Sequence, residues 1–237
     1  MGQKKLIRFN AIKSFDNVLE YPQNMPGNWH TFFKNNHPIT LELACGKGEY
    51  TIGLARMYSD KNFIGVDIKG NRIWRGAKTA IDENLKNVAF LRSGIDQITH
   101  YFTKNEIAEI WITFPDPQLR LGKAKKRLTH PKFLRLYQQI LQPNGIIHLK
   151  TDSPQLYQFT KTVIELYKLE LITDFDNAYA QTNISEELKI KTHYEALDIA
   201  QSNKIHYVKF RINNNLPVHL DEQLKTIIHE QQINGGY

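Results

Sequence analysis

From residue 39 onward the chain alternates short apolar runs with segments whose apolar residues recur at helical spacing, and that alternation leaves few folds open. Runs at 39–45, 63–68, 88–91, 107–114 and 145–150 read as strands, and 50–58, 72–85, 131–141 and 154–167 read as helices. Phe133, Leu134, Tyr137, Ile140 and Leu141 share one helical face, as do Leu156, Phe159, Val163 and Leu166. Repeated strand–helix units imply an α/β fold, a doubly wound, mostly parallel sheet with helices on both faces. A strand at 169–172, a helical stretch from Ser185 and an alternating run at 205–212, read as a final antiparallel edge strand, complete the pattern. The expected organisation is a basic arm and irregular lead-in over 1–38, a main domain over 39–213, and a tail over 214–237 without a clear pattern.

Composition narrows the function classes. No stretch reaches the roughly 18 apolar residues of a membrane span, and Met1 to Leu6 offers no apolar segment for a signal peptide. Cys45 stands alone, so an intramolecular disulfide is excluded and a reducing cytoplasm is the expected location. A net charge of +7 favours anionic partners.

The first strand runs into Glu42-Leu43-Ala44-Cys45-Gly46-Lys47-Gly48, and the second ends in Gly65-Val66-Asp67. Small residues at 44, 46 and 48 let backbone pass close beneath a ligand. Asp67 follows the turn by about twenty residues, the spacing at which an acid accepts hydrogen bonds from ribose hydroxyls. The pattern describes an adenosine-type site but lacks the third glycine of a dinucleotide fingerprint. Glu42 would also repel a pyrophosphate, and it suits a ligand with positive groups. S-Adenosylmethionine, with a sulfonium and an ammonium, is the expected cofactor.

Phe114-Pro115-Asp116-Pro117 closes a further apolar run and is followed by Lys123-Ala124-Lys125-Lys126-Arg127. Two prolines stop both the ladder and any immediate helix, which holds Asp116 at a strand's carboxyl end. A carboxylate beside so many cations points to chemistry on a polyanion. Cys45 has no partner base and reads as a packing residue, and Trp29, Trp74 and Trp111 read as core. The nine histidines show no metal-ligand spacing, so no metal is expected.

The blocks Glu42–Gly48, Gly65–Asp67, Phe114–Pro117, Leu149-Lys150-Thr151-Asp152 and Thr192-His193-Tyr194-Glu195 resemble the bacterial tRNA (guanine-N7)-methyltransferases over about 39–210. The resemblance implies a Rossmann-like S-adenosylmethionine-dependent fold and methyl transfer to N7 of a guanine, position 46, in the tRNA variable loop. Carried over by position, Glu42, Asp67, Gly46 and Gly48 contact the cofactor, and Asp116 is the central pocket acid. Arg120 stands where the family usually has lysine. Asp152, Thr192 and Glu195 line the guanine side. The family's first turn glycine is Ala44 here, and Gln118-Leu119 replaces its usual Trp-Pro. Gly94-Ile95-Asp96 stands where the third strand of the family ends in an acid near the adenine, so that contact falls to backbone at Ile95 or to Asp96.

Guanine N7 carries an in-plane lone pair and no proton, so its methylation needs positioning and a carboxylate near the developing charge more than it needs a base. Thr192 and Glu195, three apart, would face one way on a helix. Lys123, Lys125, Lys126 and Arg127, with Lys4, Lys5 and Arg8, are the candidates for tRNA phosphates. A monomer or a homodimer is expected. A methyltransferase acting on a small molecule and a tRNA-binding module without catalysis are the competing functions.

Overall fold

The alternating runs assemble into a single eight-stranded sheet. A computed structural model describes residues 2–193, 195–197 and 203–233. Helix α1 (Gly2–Ala11), strand β1 (Val18–Glu20) and helix α2 (Trp29–Phe33) come first. They lead into β2 (Ile39–Leu43), α3 (Glu49–Met57), β3 (Asn62–Asp67), α4 (Gly70–Asp82), β4 (Val88–Arg92) and β5 (Ile107–Thr113). Then follow α5 (Pro131–Ile140), β6 (Leu141–Thr151), α6 (Pro154–Leu166), β7 (Glu170–Phe175), β8 (His206–Arg211) and α7 (Leu220–Ile233).

The spatial order is β1-β4-β3-β2-β5-β6-β8-β7, parallel from β1 through β6, with β8 antiparallel to both β6 and β7. Strand order reverses at β2, which lies between β3 and β5. At such a reversal the flanking connections leave toward opposite faces, and a crevice opens at the carboxyl ends of the strands.

Strand periodicity sorts the side chains into two cores. Leu41, Leu43, Ile64, Val66, Ile110 and Ile112 join Trp29 of α2, Leu134 and Tyr137 of α5 and Phe159 of α6. On the opposite face Phe63, Phe90 and Trp111 meet Tyr50 of α3 and Ile73 and Ala77 of α4. Fully burying each such side chain stabilises the fold by about 1.5–3 kcal/mol. Glu42 falls on the second face by the same alternation, opposite Gly65 on β3 and Trp111 on β5.

Both helices that flank the crevice on the β5–β6 side begin with proline, whose missing N–H costs nothing at that position. Ser153 caps α6 by accepting from Leu156 N at 3.2 Å, and so pins the strand–helix junction that carries Asp152.

Four expectations need correction. The lead-in is not irregular: Val18–Glu20 adds a strand beside β4, and Trp29 is fully buried, donating from Nε1 to the Tyr101 carbonyl at 2.8 Å. Three residues are too few for a strand period to show in sequence. The tail forms α7, whose Leu224 and Ile228 enter the first core while Asp221 pairs with Arg135. The alternating run at 205–212 is an interior strand, because β7 lies outside it and exposes Leu171 and Ile172. Among the described residues the stretch from Ser185 forms short 3-10 turns, Glu186–Lys189 and Glu195–Leu197, in place of a longer helix.

Candidate active site

The turn after β2 is wound left-handed three times, at Ala44 (φ +57°), Gly46 (φ +57°) and Gly48 (φ +72°). A Cβ on Gly48 would sit 2.5 Å from the Phe90 ring, so glycine is required there for space as well as for φ. Ala44 tolerates the conformation at a cost of roughly 1–2 kcal/mol. Asp67 locks the loop from the end of β3: one carboxylate oxygen accepts from Gly46 N at 2.9 Å and the other from Lys69 N at 2.8 Å. Cys45 is buried in this turn, and burial pushes its thiol up, which suits packing and not nucleophilic attack.

Glu42 lies beneath the turn, 3% exposed, and does not line the cleft above it. Its carboxylate accepts from Thr51 N at 2.7 Å, Thr51 Oγ1 at 2.5 Å and Thr113 Oγ1 at 2.8 Å. Burial raises its pKa from 4.5 to about 7, against those hydrogen bonds, which lower it. The folded protein therefore keeps this proton across a pH range in which the unfolded chain has lost it, so stability falls as pH rises from 4.5 to about 7. The loss amounts to roughly 3 kcal/mol over the window. Glu42→Gln removes the titration. Urea unfolding across this range is expected to show the variant gaining on the parent by that amount as pH rises, and parallel curves would contradict it.

At the end of β5 the chain turns sharply at Phe114, whose φ is +46° and whose N–H donates to the Lys150 carbonyl at 2.8 Å. Asp116 is then exposed on a loop fixed by Pro115 and Pro117, and its carboxylate accepts from Gln118 N at 3.0 Å. Together with Ala44, Asp67, Arg72 and Asp152, these loops line a cleft of about 750 Å³ at the strand-order reversal. Three of the expected acids, Asp67, Asp116 and Asp152, thus share one cavity. Gly94 and Ile95 follow β4 beside the Asp67 loop, where Ser93 N donates to the Asp67 carbonyl at 3.2 Å, and Asp96 is exposed beyond them.

Arg120, Lys123, Lys125 and Lys126 are exposed on and just before the 3-10 turn Leu121–Lys126. Arg127 departs from the expectation of a phosphate contact. It is 2% exposed, its Nε donates to the Gln118 carbonyl at 3.4 Å and its guanidinium lies 4.5 Å over the Phe159 ring. The cause is the three-residue period of a 3-10 turn, which carries Ala124 and Arg127 inward while Lys123 and Lys126 stay outside. Arg127 braces the Asp116 loop from within.

Thr192 and Glu195 do come together, though not on a shared helix. Thr192 Oγ1 accepts from Glu195 N at 3.1 Å, and Glu195 opens a short 3-10 turn; Tyr194 lies outside the described residues. The Glu195 carboxylate is held by Lys150 Nζ at 3.0 Å and by the Tyr179 hydroxyl. Lys150 was missed by sequence reasoning. It is fully buried, and besides Glu195 it donates to the carbonyls of Leu188 and Ile190, each at 2.9 Å. Desolvation lowers its pKa and Glu195 opposes that shift. A lysine closing the mostly apolar run 145–150 was the available clue.

The family model described as "Putative methyltransferase" matches residues 36–208. A tRNA (guanine-N(7)-)-methyltransferase of Bacteroides thetaiotaomicron is 46% identical over 221 residues, covering 90% of this chain and 87% of the relative. The chain belongs to the tRNA (guanine-N(7)-)-methyltransferase family. Another member, from Christiangramia forsetii, is 45% identical over 90% of this chain and 100% of its own length. Among solved structures, the 16S rRNA methyltransferase KamB superposes with a TM-score of 0.60 at 13% identity, covering 82% of this chain and 97% of that one. At that identity the likeness speaks for the fold. The family is one of methyltransferases, and in this chain the acid-lined cleft lies at the β2 reversal.

Proposed function

We propose that this protein transfers a methyl group from S-adenosylmethionine to N7 of the guanine at position 46 in the tRNA variable loop, forming 7-methylguanosine. The observation that carries the reading is the convergence of Asp67, Asp116 and Asp152 on one cleft, over a left-handed turn that rests on Glu42. Such a donor set fits a cofactor with two cationic groups and repels a pyrophosphate. Gly46, Gly48 and Asp67 would hold it, with Glu42 supporting the turn from below and Gly94 and Ile95 on the adenine side. When bound, S-adenosylmethionine supplies an electrophilic methyl on its sulfonium.

Asp116 stabilises the positive charge that develops on the imidazole ring as N7 is alkylated. Asp152 accepts from the guanine N1–H and exocyclic amine, a pattern adenine cannot offer because its N1 is unprotonated. Thr192, Glu195 and Arg120 do not line the cleft itself; Thr192 and Glu195, braced by Lys150, would close the guanine side from the neighbouring segment, and Arg120 would meet the substrate at the entrance. Reaching N7 requires drawing the base from its stack at a cost of a few kcal/mol, offset by phosphate contacts at Lys123, Lys125 and Lys126. The proposed location is the cytoplasm. Among the described residues no helix is long and apolar enough to cross a membrane.

Incubation with labelled S-adenosylmethionine and unmodified tRNA, followed by nuclease mapping, is expected to place 7-methylguanosine in the variable loop. Label on another nucleotide, or transfer only to a small molecule, would overturn the assignment.

A further inference from the structure

We infer that a second, cationic cleft beside the glycine turn holds the phosphates of the tRNA strand that enters the acid-lined pocket. The inference rests on the reading of tRNA as substrate. The cleft, of about 440 Å³, is walled by Arg8, Lys47, Glu49, Asn71, Arg72 and Arg75. Four cations thus face one acid, and they come from separate parts of the chain: α1, the turn after β2, and α4.

Each cation is positioned. Arg72 and Arg75 are three residues apart on α4, so both project from one side of it. The Arg8 guanidinium lies 4.8 Å over the ring of Trp74, which docks α1 onto α4 and removes much of the freedom an exposed arginine would have to lose on binding. Among the described residues Arg8, Lys47 and Arg75 form no ion pair with a carboxylate. No carboxylate neutralises them, which is uncommon for cations gathered in a concavity and suits an external anion.

The placement supplies the second reason. Arg72 lines both this cleft and the acid-lined one, and Lys47, Glu49 and Arg75 also line a groove between α3 and α4 that includes Lys191 and Arg56, the latter paired with Glu83. The three concavities are neighbours that share walls. A base drawn into the pocket brings its own and its neighbours' phosphates to the rim, where Asp67, Asp116 and Asp152 would repel them. A cationic wall starting at Arg72 offsets that repulsion along the path the strand must take. The Lys123–Lys126 turn lies on the opposite, Asp116 side of the pocket, so the strand is gripped from both sides.

The test is tRNA binding by fluorescence anisotropy over about 50–200 mM salt, with Arg8→Glu, Arg75→Glu and the double variant. Arg75→Gln serves as a milder companion, and Lys86→Glu, on the loop before β4 at the opposite rim of the sheet, controls for net charge. Each reversal in the cleft is expected to weaken binding about tenfold at low salt and to reduce the slope of log K against log salt by about 1, and the double variant by about 2. Lys86→Glu is expected to leave the slope unchanged, and calorimetry with S-adenosylmethionine is expected to give one affinity for all variants. A double variant with parental affinity and slope, in a parent that methylates tRNA, would overturn the inference and leave the function standing. A parent that neither binds nor methylates tRNA would overturn both.

Discussion

Asp116→Ala is expected to slow methyl transfer to tRNA by about a hundredfold to a thousandfold while the fold survives. A carboxylate about 4 Å from a developing charge contributes about 4 kcal/mol at an effective dielectric near 20, and that corresponds to roughly a thousandfold in rate. The structural cost of the change is small by comparison. Asp116 is exposed, and its hydrogen bond is to Gln118 N, a contact whose loss costs about 0.5–1.5 kcal/mol. The shape of the loop comes from elsewhere: the left-handed Phe114, the two prolines and the buried Arg127 that grips the Gln118 carbonyl. Asp116→Asn separates charge from geometry, because the amide oxygen can still accept from Gln118 N. Single-turnover rates for both variants, with thermal unfolding and S-adenosylmethionine affinity alongside, provide the measurement. Near-normal transfer by Asp116→Asn would show that the negative charge at this position is not what accelerates the reaction.

The parts of the fold that were legible in sequence are those where burial is continuous. Strands β2 to β6 and helices α3 to α6 have apolar residues at most positions the core demands, so their periods stand out and their ends fall within a few residues of expectation. The end of β5 is instructive. The apolar run includes Phe114, but the ladder stops at Thr113 because Phe114 adopts φ +46° to aim the next loop into the cleft. What was not legible depends on contacts distant in sequence. Val18–Glu20 is a strand only because the edge of β4 is there to receive it. Arg127 reads like its basic neighbours until a three-residue turn carries it inside.

The candidate site divides along the same line. Asp67 ends β3, and Asp152 and Asp116 follow the ends of β6 and β5, strands whose boundaries the pattern marks, so they meet as the strand order requires. Glu42 stands out in sequence as an acid within a strand. The alternation of side chains, not its identity as an acid, decides that it lies under the turn with Thr51 and Thr113. The segment carrying Thr192 and Glu195 has no strong period of its own, and its position is imposed by a lysine some forty residues earlier.

That lysine gives the second large effect. Lys150→Met keeps the aliphatic stem and removes the ammonium, leaving the Glu195 carboxylate and the carbonyls of Leu188 and Ile190 without their shared donor in a buried place. Removing one partner of a buried pair costs about 3–5 kcal/mol, mostly from the charge left behind. The expected result is a lowered unfolding midpoint. Faster amide exchange is expected in Ala178–Ala180 and Glu186–Lys189, with β6 itself still protected, because the lost bonds fasten that segment and not the sheet. Transfer to tRNA should fall as well, since Thr192 and Glu195 ride on the loosened segment, whereas S-adenosylmethionine affinity should change little. Adding Glu195→Gln to Lys150→Met distinguishes this from simple damage to packing. Neutralising the stranded carboxylate should return part of the lost stability, so the two substitutions together should cost less than their sum. Strict additivity of the pair, or unchanged exchange in the segment, would mean that Lys150 fills space at the end of β6 without holding the second half of the site in place.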